Sequence, residues 1–461
     1  MTGQAPPNAT DRFPMITEAG RRRLSWLEEH PHAPRYNHMG VDRLTPDGAR
    51  RLASFEAELN SAAEQTSAGR GWRASAGALP PWLKEFADFC CRAVPAYRAY
   101  GAPPANFFDL PTSDRGDLAQ APWNFVPDSQ PLAGLIVFQT SGTTGHPLNI
   151  ITHPEVLAHY LPLLRAALAV HGVALEAARD DGPPVSLVVV CNQATTYTYA
   201  AVSSYLNQAG LAKINLNPAD WRDPADRARF LEACHPRVYT GDPVSLAELA
   251  SLPLTTRPEA LVSTSMMLLP GLREQLRSRF DCPVVDIYSM NEAGPIAVAA
   301  PDGGGHLLLQ HRLFVEVLDP GGATCAPGDR GEVTLTGGFN PFLPLLRYRT
   351  GDFARLDFAD SRHVRLLDLE GRPPVIFHGA AGQAINNIDV TAVLKPFALP
   401  QYNLHQFASG GLRLRVAGAM PDPNRLRAAV LGLFGARISL DIEPFDPAAE
   451  GKLLQYTSEP S

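Results

Sequence analysis

The residues best suited to holding a charged ligand lie in positions 138–150, which read Phe-Gln-Thr-Ser-Gly-Thr-Thr-Gly-His-Pro-Leu-Asn-Ile. Thr140, Ser141, Gly142, Thr143, Thr144 and Gly145 fall together there. Glycines let a loop fold tightly and turn its backbone N–H groups toward an anion. Threonine and serine hydroxyls add donors that rotate to meet phosphate oxygens. The stretch reads as a polyphosphate cradle. It is not a Gly-x-x-x-x-Gly-Lys-Ser/Thr loop, because no lysine follows the second glycine. No Ser-His-Asp or Cys-His pairing is evident, so positioning and charge neutralisation are the expected sources of catalysis.

The elements that must position this loop follow from hydrophobic patterning. Apolar Leu135-Ile136-Val137-Phe138 leads into it as a strand, and 153–173 has helical spacing after it. Strands are predicted over 186–191, 212–216, 237–240, 260–263 and 284–288. Helices are predicted over 227–234, 244–249 and 270–280. Such alternation argues a largely parallel α/β sheet. From His306 the texture changes to short, turn-punctuated strands over 313–318, 332–336, 353–356 and 364–367, which predicts an antiparallel β subdomain. Upstream, 15–75 has helical patterning, and 82–94 reads as an amphipathic helix after Pro80-Pro81. The run Arg21-Arg22-Arg23 is read as a solvated helix face.

With 461 residues the chain is too long for one core. We expect a large N-terminal domain of mixed, largely parallel α/β sheets over 1–370, including the β subdomain from about 306. A small mobile α+β C-terminal lid is expected over 371–461, entered through Glu370-Gly371-Arg372-Pro373-Pro374. A hydrophobic content of 45% with 19% charged residues is that of an ordinary globular protein. The net charge of −7 argues against nucleic acid or an anionic membrane as partner. No apolar run approaches the ~18 residues of a membrane span, and 1–14 has no signal-peptide core. Six scattered cysteines form no C-x-x-C pair, so a reduced, cytoplasmic setting is expected. Lysine occurs only at 84, 213, 395 and 452, which makes each position informative.

Thr140-Ser141-Gly142-Thr143-Thr144-Gly145-His146-Pro147 resembles the phosphate-loop signature of the adenylate-forming superfamily, which includes acyl-CoA synthetases, peptide-synthetase adenylation domains and luciferases. Further motifs follow in the family's order, so the resemblance covers the chain from about residue 90 onward. The phenylacetate-CoA ligases look like the closest branch. Tyr288-Ser289-Met290-Asn291-Glu292, at the carboxyl end of a predicted strand, resembles Tyr-Gly-x-x-Glu. The resemblance implies that Tyr288 packs on adenine and that Glu292 holds Mg²⁺, a metal suited to one carboxylate plus phosphates. Ser289 departs from the usual glycine. Asp286 on the same strand is counted with the nucleotide contacts. Arg347-Tyr348-Arg349-Thr350-Gly351-Asp352 is similar to Arg-Tyr-x-Thr-Gly-Asp, which implies that Asp352 accepts from both ribose hydroxyls. Gly331-Glu332 fits a structural turn of the family. Gly371-Arg372 is similar to the hinge motif, whose arginine contacts ribose or phosphate. Pro374 stands where an Asp or Lys is usual, and locks φ at the pivot. Glu450-Gly451-Lys452 is similar to the final Gly-Lys motif, implying that Lys452 bridges the substrate carboxylate and the α-phosphate.

Thr264, Ser265 and Met266 fall where the family borders adenine, and the core could equally claim Met266. Thr196, Tyr197, Tyr199, Ser203, Ser204 and Met290 fall where it lines the acid pocket. Hydroxyls there need partners, so an aromatic acid bearing hydroxyl or amino groups is expected. The resemblance implies ATP and Mg²⁺ as cofactors and CoA as acceptor. A non-CoA acceptor stays open: an amine, a carrier-protein thiol, or nitrite chemistry that diazotises an aryl amine. A homodimer is also open. No structural metal is expected, and His306 and His311 are read as surface residues.

Overall fold

The computed structural model describes residues 12–67, 79–139, 148–176, 185–193, 196–358, 363–371, 375–382, 384–394, 396–446 and 454–459. The Thr140–Gly145 loop, Arg372, Pro374 and Lys452 lie outside them. Two compact units interleave along the chain. The first comprises Met1–Met15, Asp42–Ala174 and Ile287–Pro373; the second comprises Ile16–Val41, Leu175–Asp286 and Pro374–Ser461.

In the second unit a sheet runs in the order Tyr199–Ser203, Ala209–Asn215, Val185–Cys191, Val238–Gly241, Ala260–Ser263 and Val284–Asp286. All neighbours are parallel except the first pair. The helices Pro243–Ser251 and Pro270–Phe280 make the crossovers between consecutive parallel strands. Parallel strands covered on both faces read as continuous apolar runs, and Ala260–Ser263 is buried at every position. The C-terminal part of this unit forms its own four-stranded sheet, Leu440–Phe445, Leu412–Ala417, Tyr402–Gln406 and Tyr456–Ser458. The helices Asn387–Leu394 and Pro423–Phe434 belong with it, around Phe377, Leu404, Leu414, Val430 and Phe434.

In the first unit the strands are antiparallel: Leu313–Leu318, Arg330–Gly337, Leu345–Asp357, Arg365–Gly371, His306–Leu308, Gly294–Ala299 and Ile287–Met290. The helix Trp82–Ala93 places Leu83, Ala87, Cys90 and Cys91 on one buried face. Tyr97 ties this layer to the sheet by donating to the Pro344 carbonyl (3.1 Å) and accepting from the Leu346 amide (3.2 Å). A separate hairpin pairs Ile136–Gln139 with Asn149–Thr152, so the expected phosphate loop connects two hydrogen-bonded strands.

Several local expectations need correction. Leu345–Asp357 is one long strand that contains the whole 347–352 motif, because two bulges bend it rather than end it. The hydroxyl-rich stretch after Asn192 contains the strand Tyr199–Ser203, which is buried at every position after Tyr199 and so shows no apolar–polar alternation. The 153–173 helix divides into Pro154–Leu157 and Tyr160–Val170. Arg23 leaves the solvated arginine face; it is buried and donates to the carbonyls of Asn207 and Gln208. The His311 side chain is only 8% exposed and lies against Glu58.

Candidate active site

Two tyrosine–carboxylate pairs lie within the first unit. Strand Val284–Met290 turns tightly back into Gly294–Ala299, and Glu292 sits on that turn. Gly294 has φ +68°, and a Cβ there would stand 2.2 Å from the Phe339 ring. Only glycine meets both demands. Gln310 fastens the turn by donating to the carbonyls of Ala293 (2.6 Å) and Pro295 (2.7 Å).

Glu292 is held almost wholly out of solvent. Tyr348 donates its hydroxyl to Glu292 Oε1 at 3.2 Å, and Arg115 Nη1 stands 3.5 Å from the same oxygen. Burial, reinforced by the Glu292 charge, raises the Tyr348 hydroxyl well above the usual tyrosine range, so it stays a donor. Tyr160 is pushed up to about 12 by burial and then by Glu292.

Asp352 forms the second pair. Tyr288 donates to Asp352 Oδ2 at 2.7 Å. Burial and the nearby carboxylate raise the Tyr288 hydroxyl well above its ordinary value. The Asp352 backbone is fixed by Thr350 Oγ1, which accepts from the Asp352 amide (3.0 Å) and donates to the Val333 carbonyl (2.8 Å). Gly351 has φ +77° and donates its amide to Glu332 Oε1 at 3.0 Å. Glu332 also pairs with Arg349, so the Gly-Glu position clamps the bulge.

The start of this strand is shaped by a second device. Arg347 takes a left-handed conformation (φ +43°) where the register shifts between Leu335 and Gly337. Its guanidinium meets Glu316 Oε1 (2.8 Å) and Oε2 (3.0 Å), and both side chains are 3% exposed or less. The Nη1 group also donates to the carbonyls of Phe108 and Leu110 (both 2.5 Å). Bulges re-aim side chains next to functional sites; this one immediately precedes Tyr348.

Tyr288, Met290, Glu292 and Asp352 thus share the first unit, where Ser289 pairs opposite Pro295. The other expected contacts belong to the second unit. Thr264, Ser265 and Met266 follow strand Ala260–Ser263 at its carboxyl end, the end where α/β sheets bind ligands. The Thr264 amide donates to the Gly241 carbonyl (3.0 Å), and exposed Ser265 has φ +71°. Asp286 faces Arg273 at 3.4 Å. The Thr196 carbonyl accepts from Asn37 (2.8 Å), and Tyr197 is exposed with its ring 4.9 Å from that of His38. Burial raises the Tyr199 hydroxyl. Ser203 is buried and accepts from the Leu206 amide (3.3 Å), and Ser204 follows in the same turn.

The donor set suits Mg²⁺. Among the described residues no three His, Cys, Asp or Glu side chains cluster as a metal cage. Glu292 is a buried carboxylate of the kind that would hold Mg²⁺, which keeps waters and binds through few protein oxygens. Sequence reasoning passed over Arg115, Tyr348, Thr350 and Tyr160. Tyr348 and Thr350 were within the motif itself. Arg115 carried no signal beyond opening a helix behind the Asp114–Asp117 capping box.

No protein-family model matches the chain. Among curated proteins it is similar to phenylacetate-coenzyme A ligase of Escherichia coli (strain K12), at 30% identity over 107 residues. That match covers 22% of this chain and 24% of the relative, so it spans about a quarter of that protein's length. Among solved structures, 2-hydroxyisobutyryl-CoA ligase in the postadenylation state in complex with 2-HIB-AMP superposes with a TM-score of 0.59. The identity is 17%, over 89% of this chain and 90% of that one. An open conformation of the same ligase, in complex with 2-HIB-AMP and CoA, gives 0.52 at 17% identity over 81% and 89%. Among the described residues no helix is long and apolar enough to cross a membrane. The fold is thus shared with these solved ligase structures, while the sequence likeness to the curated ligase covers about a quarter of either chain.

Proposed function

We propose that the protein is an ATP-dependent, AMP-forming ligase that activates a carboxylic acid as its acyl-adenylate and passes the acyl group to CoA. The observation that carries this reading is the pair of tyrosine-held carboxylates, Glu292 and Asp352. They are supplied by two motifs far apart in sequence and converge within one unit.

In this reading the Thr140–Gly145 loop binds the phosphates, Asp352 grips the ribose and Tyr288 packs on adenine. Mg²⁺, when bound through Glu292, supplies neutralisation of phosphate charge. The substrate carboxylate attacks the α-phosphorus, the bond to the β-phosphate oxygen breaks, and pyrophosphate leaves. Lys452 stabilises the charge that develops, so Lys452→Gln should slow adenylation by about 10²–10³. The segment from residue 371 acts as the lid that carries Lys452 and turns for the second step. Similarity to phenylacetate-CoA ligase supports an aromatic acid. The hydroxyls of Thr196, Tyr197, Tyr199 and Ser204 support hydroxy or amino substituents.

A second reading keeps the adenylation step but changes the acceptor. Proline at 373 and 374 restricts the pivot on which the CoA step depends. That restriction favours an amine, a carrier-protein thiol or nitrite-derived chemistry. The test is pyrophosphate and AMP release across a panel of aryl acids, each with no acceptor, with CoA, and with nitrite plus an aryl amine. Release requiring acid and CoA supports the first reading. Release driven by nitrite and amine replaces it with the second, and no release from any mixture overturns both.

A further inference from the structure

Glu292 presents a charge problem. Its side chain is 3% exposed, yet its cationic neighbour Arg115 is 35% exposed and meets it at 3.5 Å, longer than a tight ion pair. A buried carboxylate without a counter-charge is costly, so a cation is needed there before any metal arrives. Once a divalent cation is on Glu292, a guanidinium on the same oxygen becomes a like-charge neighbour. Arg115 is the first residue of the helix Arg115–Gln120, whose capping box fixes the backbone on Asp114 and Asp117, while its side chain stays 35% exposed. The backbone is held further by strand Ser113–Asp114, which pairs with Tyr348 and Arg349 beside the site.

We propose that Arg115 is an exchangeable counter-ion. It holds Glu292 in the nucleotide-free protein, cedes the carboxylate to Mg²⁺, and swings onto a phosphate oxygen of the incoming ATP. The proposal rests on the ligase reading above. A guanidinium serves both roles, because its planar donors match a carboxylate and a phosphate alike. The exchange keeps the local charge balanced before and after nucleotide binding, and couples metal and nucleotide binding through one side chain.

The exchange is testable by binding alone. The full chain is titrated with Mn²⁺ as the paramagnetic probe in the presence of α,β-methylene-ATP, which cannot release pyrophosphate. Metal binding is read by electron paramagnetic resonance and nucleotide binding by calorimetry. With Arg115→Ala, loss of the competing cation should lower the Mn²⁺ half-saturation by about threefold to tenfold. At saturating Mn²⁺ the same variant should bind the nucleotide about threefold to tenfold more weakly. Arg115→Lys should keep the wild-type metal value and recover part of the nucleotide affinity. Unchanged Mn²⁺ half-saturation or unchanged nucleotide affinity in Arg115→Ala overturns the exchange. Failure of the wild-type chain to bind the analogue with Mn²⁺ overturns the ligase reading itself, which separates the two failures.

Discussion

The hydroxyl of Tyr288 lies 2.7 Å from Asp352 Oδ2, joining the end of one strand to a bulge in another across 64 residues of sequence. The contact gives Asp352 a fixed donor. It also orients the tyrosine ring, since a hydroxyl bonded to a fixed carboxylate cannot turn freely.

Replacing Tyr288 by Phe keeps the ring and removes this donor. Hydrogen bonds to charged groups contribute about 1.5–3 kcal/mol. We therefore expect Tyr288→Phe to weaken ATP binding by about tenfold while the adenylation rate at saturating ATP changes less. Calorimetric titration with a non-hydrolysable analogue reads the first quantity, and pyrophosphate release the second. Equal affinity in the variant would show that Asp352 does not depend on this contact.

Arg347 and Glu316 are both buried and fully engaged with each other. Removing one partner of such a pair leaves an uncompensated charge and costs about 3–5 kcal/mol. Arg347→Ala should lower the urea midpoint by a corresponding amount. Apolar replacement of both residues, Arg347→Met with Glu316→Leu, should recover much of the loss. Recovery stays incomplete because the carbonyls of Phe108 and Leu110 also lose their donor.

His159 lies with its ring centroid 4.7 Å from that of Phe55 and 5.9 Å from that of Phe339. Burial lowers its pKa from the ordinary 6.5. The unfolded chain therefore takes up this proton at a higher pH than the folded chain does. Below about pH 6.5 the unfolded state binds more protons, and stability falls as pH drops toward the folded value. Urea unfolding followed between pH 7.5 and roughly pH 5 should show a smaller loss in His159→Gln than in the wild type. Parallel curves would mean that other groups carry the acid sensitivity.

The parts of this structure legible in the sequence are those set by short-range signals. Ala260–Ser263 and Leu313–Leu318 follow from apolar runs, and Pro270–Phe280 from Leu272, Leu276 and Phe280 at helical spacing behind a proline. Motif order singled out Glu292 and Asp352, whereas Gly331-Glu332, expected in a structural turn, lies inside the strand Arg330–Gly337. Long-range pairing was not legible. Arg115 meets Glu292, and Arg347 meets Glu316, only because strand register brings distant positions together. The strand Tyr199–Ser203 was hidden because it is short and buried on both faces, so no alternation marks it, and it adjoins hydroxyl-rich positions 195–198. The grouping of residues 374–461 with 175–286 depends on contacts made after folding, such as Leu269 joining the core around Phe377.

Gly351 separates backbone geometry from packing. Its φ of +77° is a left-handed conformation, yet nothing lies within 4 Å of where a Cβ would stand. A side chain fits there, so the cost of Gly351→Ala is conformational, about 1–2 kcal/mol. Asparagine tolerates this region better than alanine, and Gly351→Asn should lose less. The bulge also carries the amide that donates to Glu332 and the turn that fixes Asp352. A strained bulge should therefore raise the KM for ATP, least in the wild type, more in Gly351→Asn and most in Gly351→Ala, with kcat moving less. Thermal melts of the three proteins check the conformational cost independently. If Gly351→Ala destabilised the fold without moving the KM for ATP, Asp352 would be held by Thr350 and Tyr288 alone.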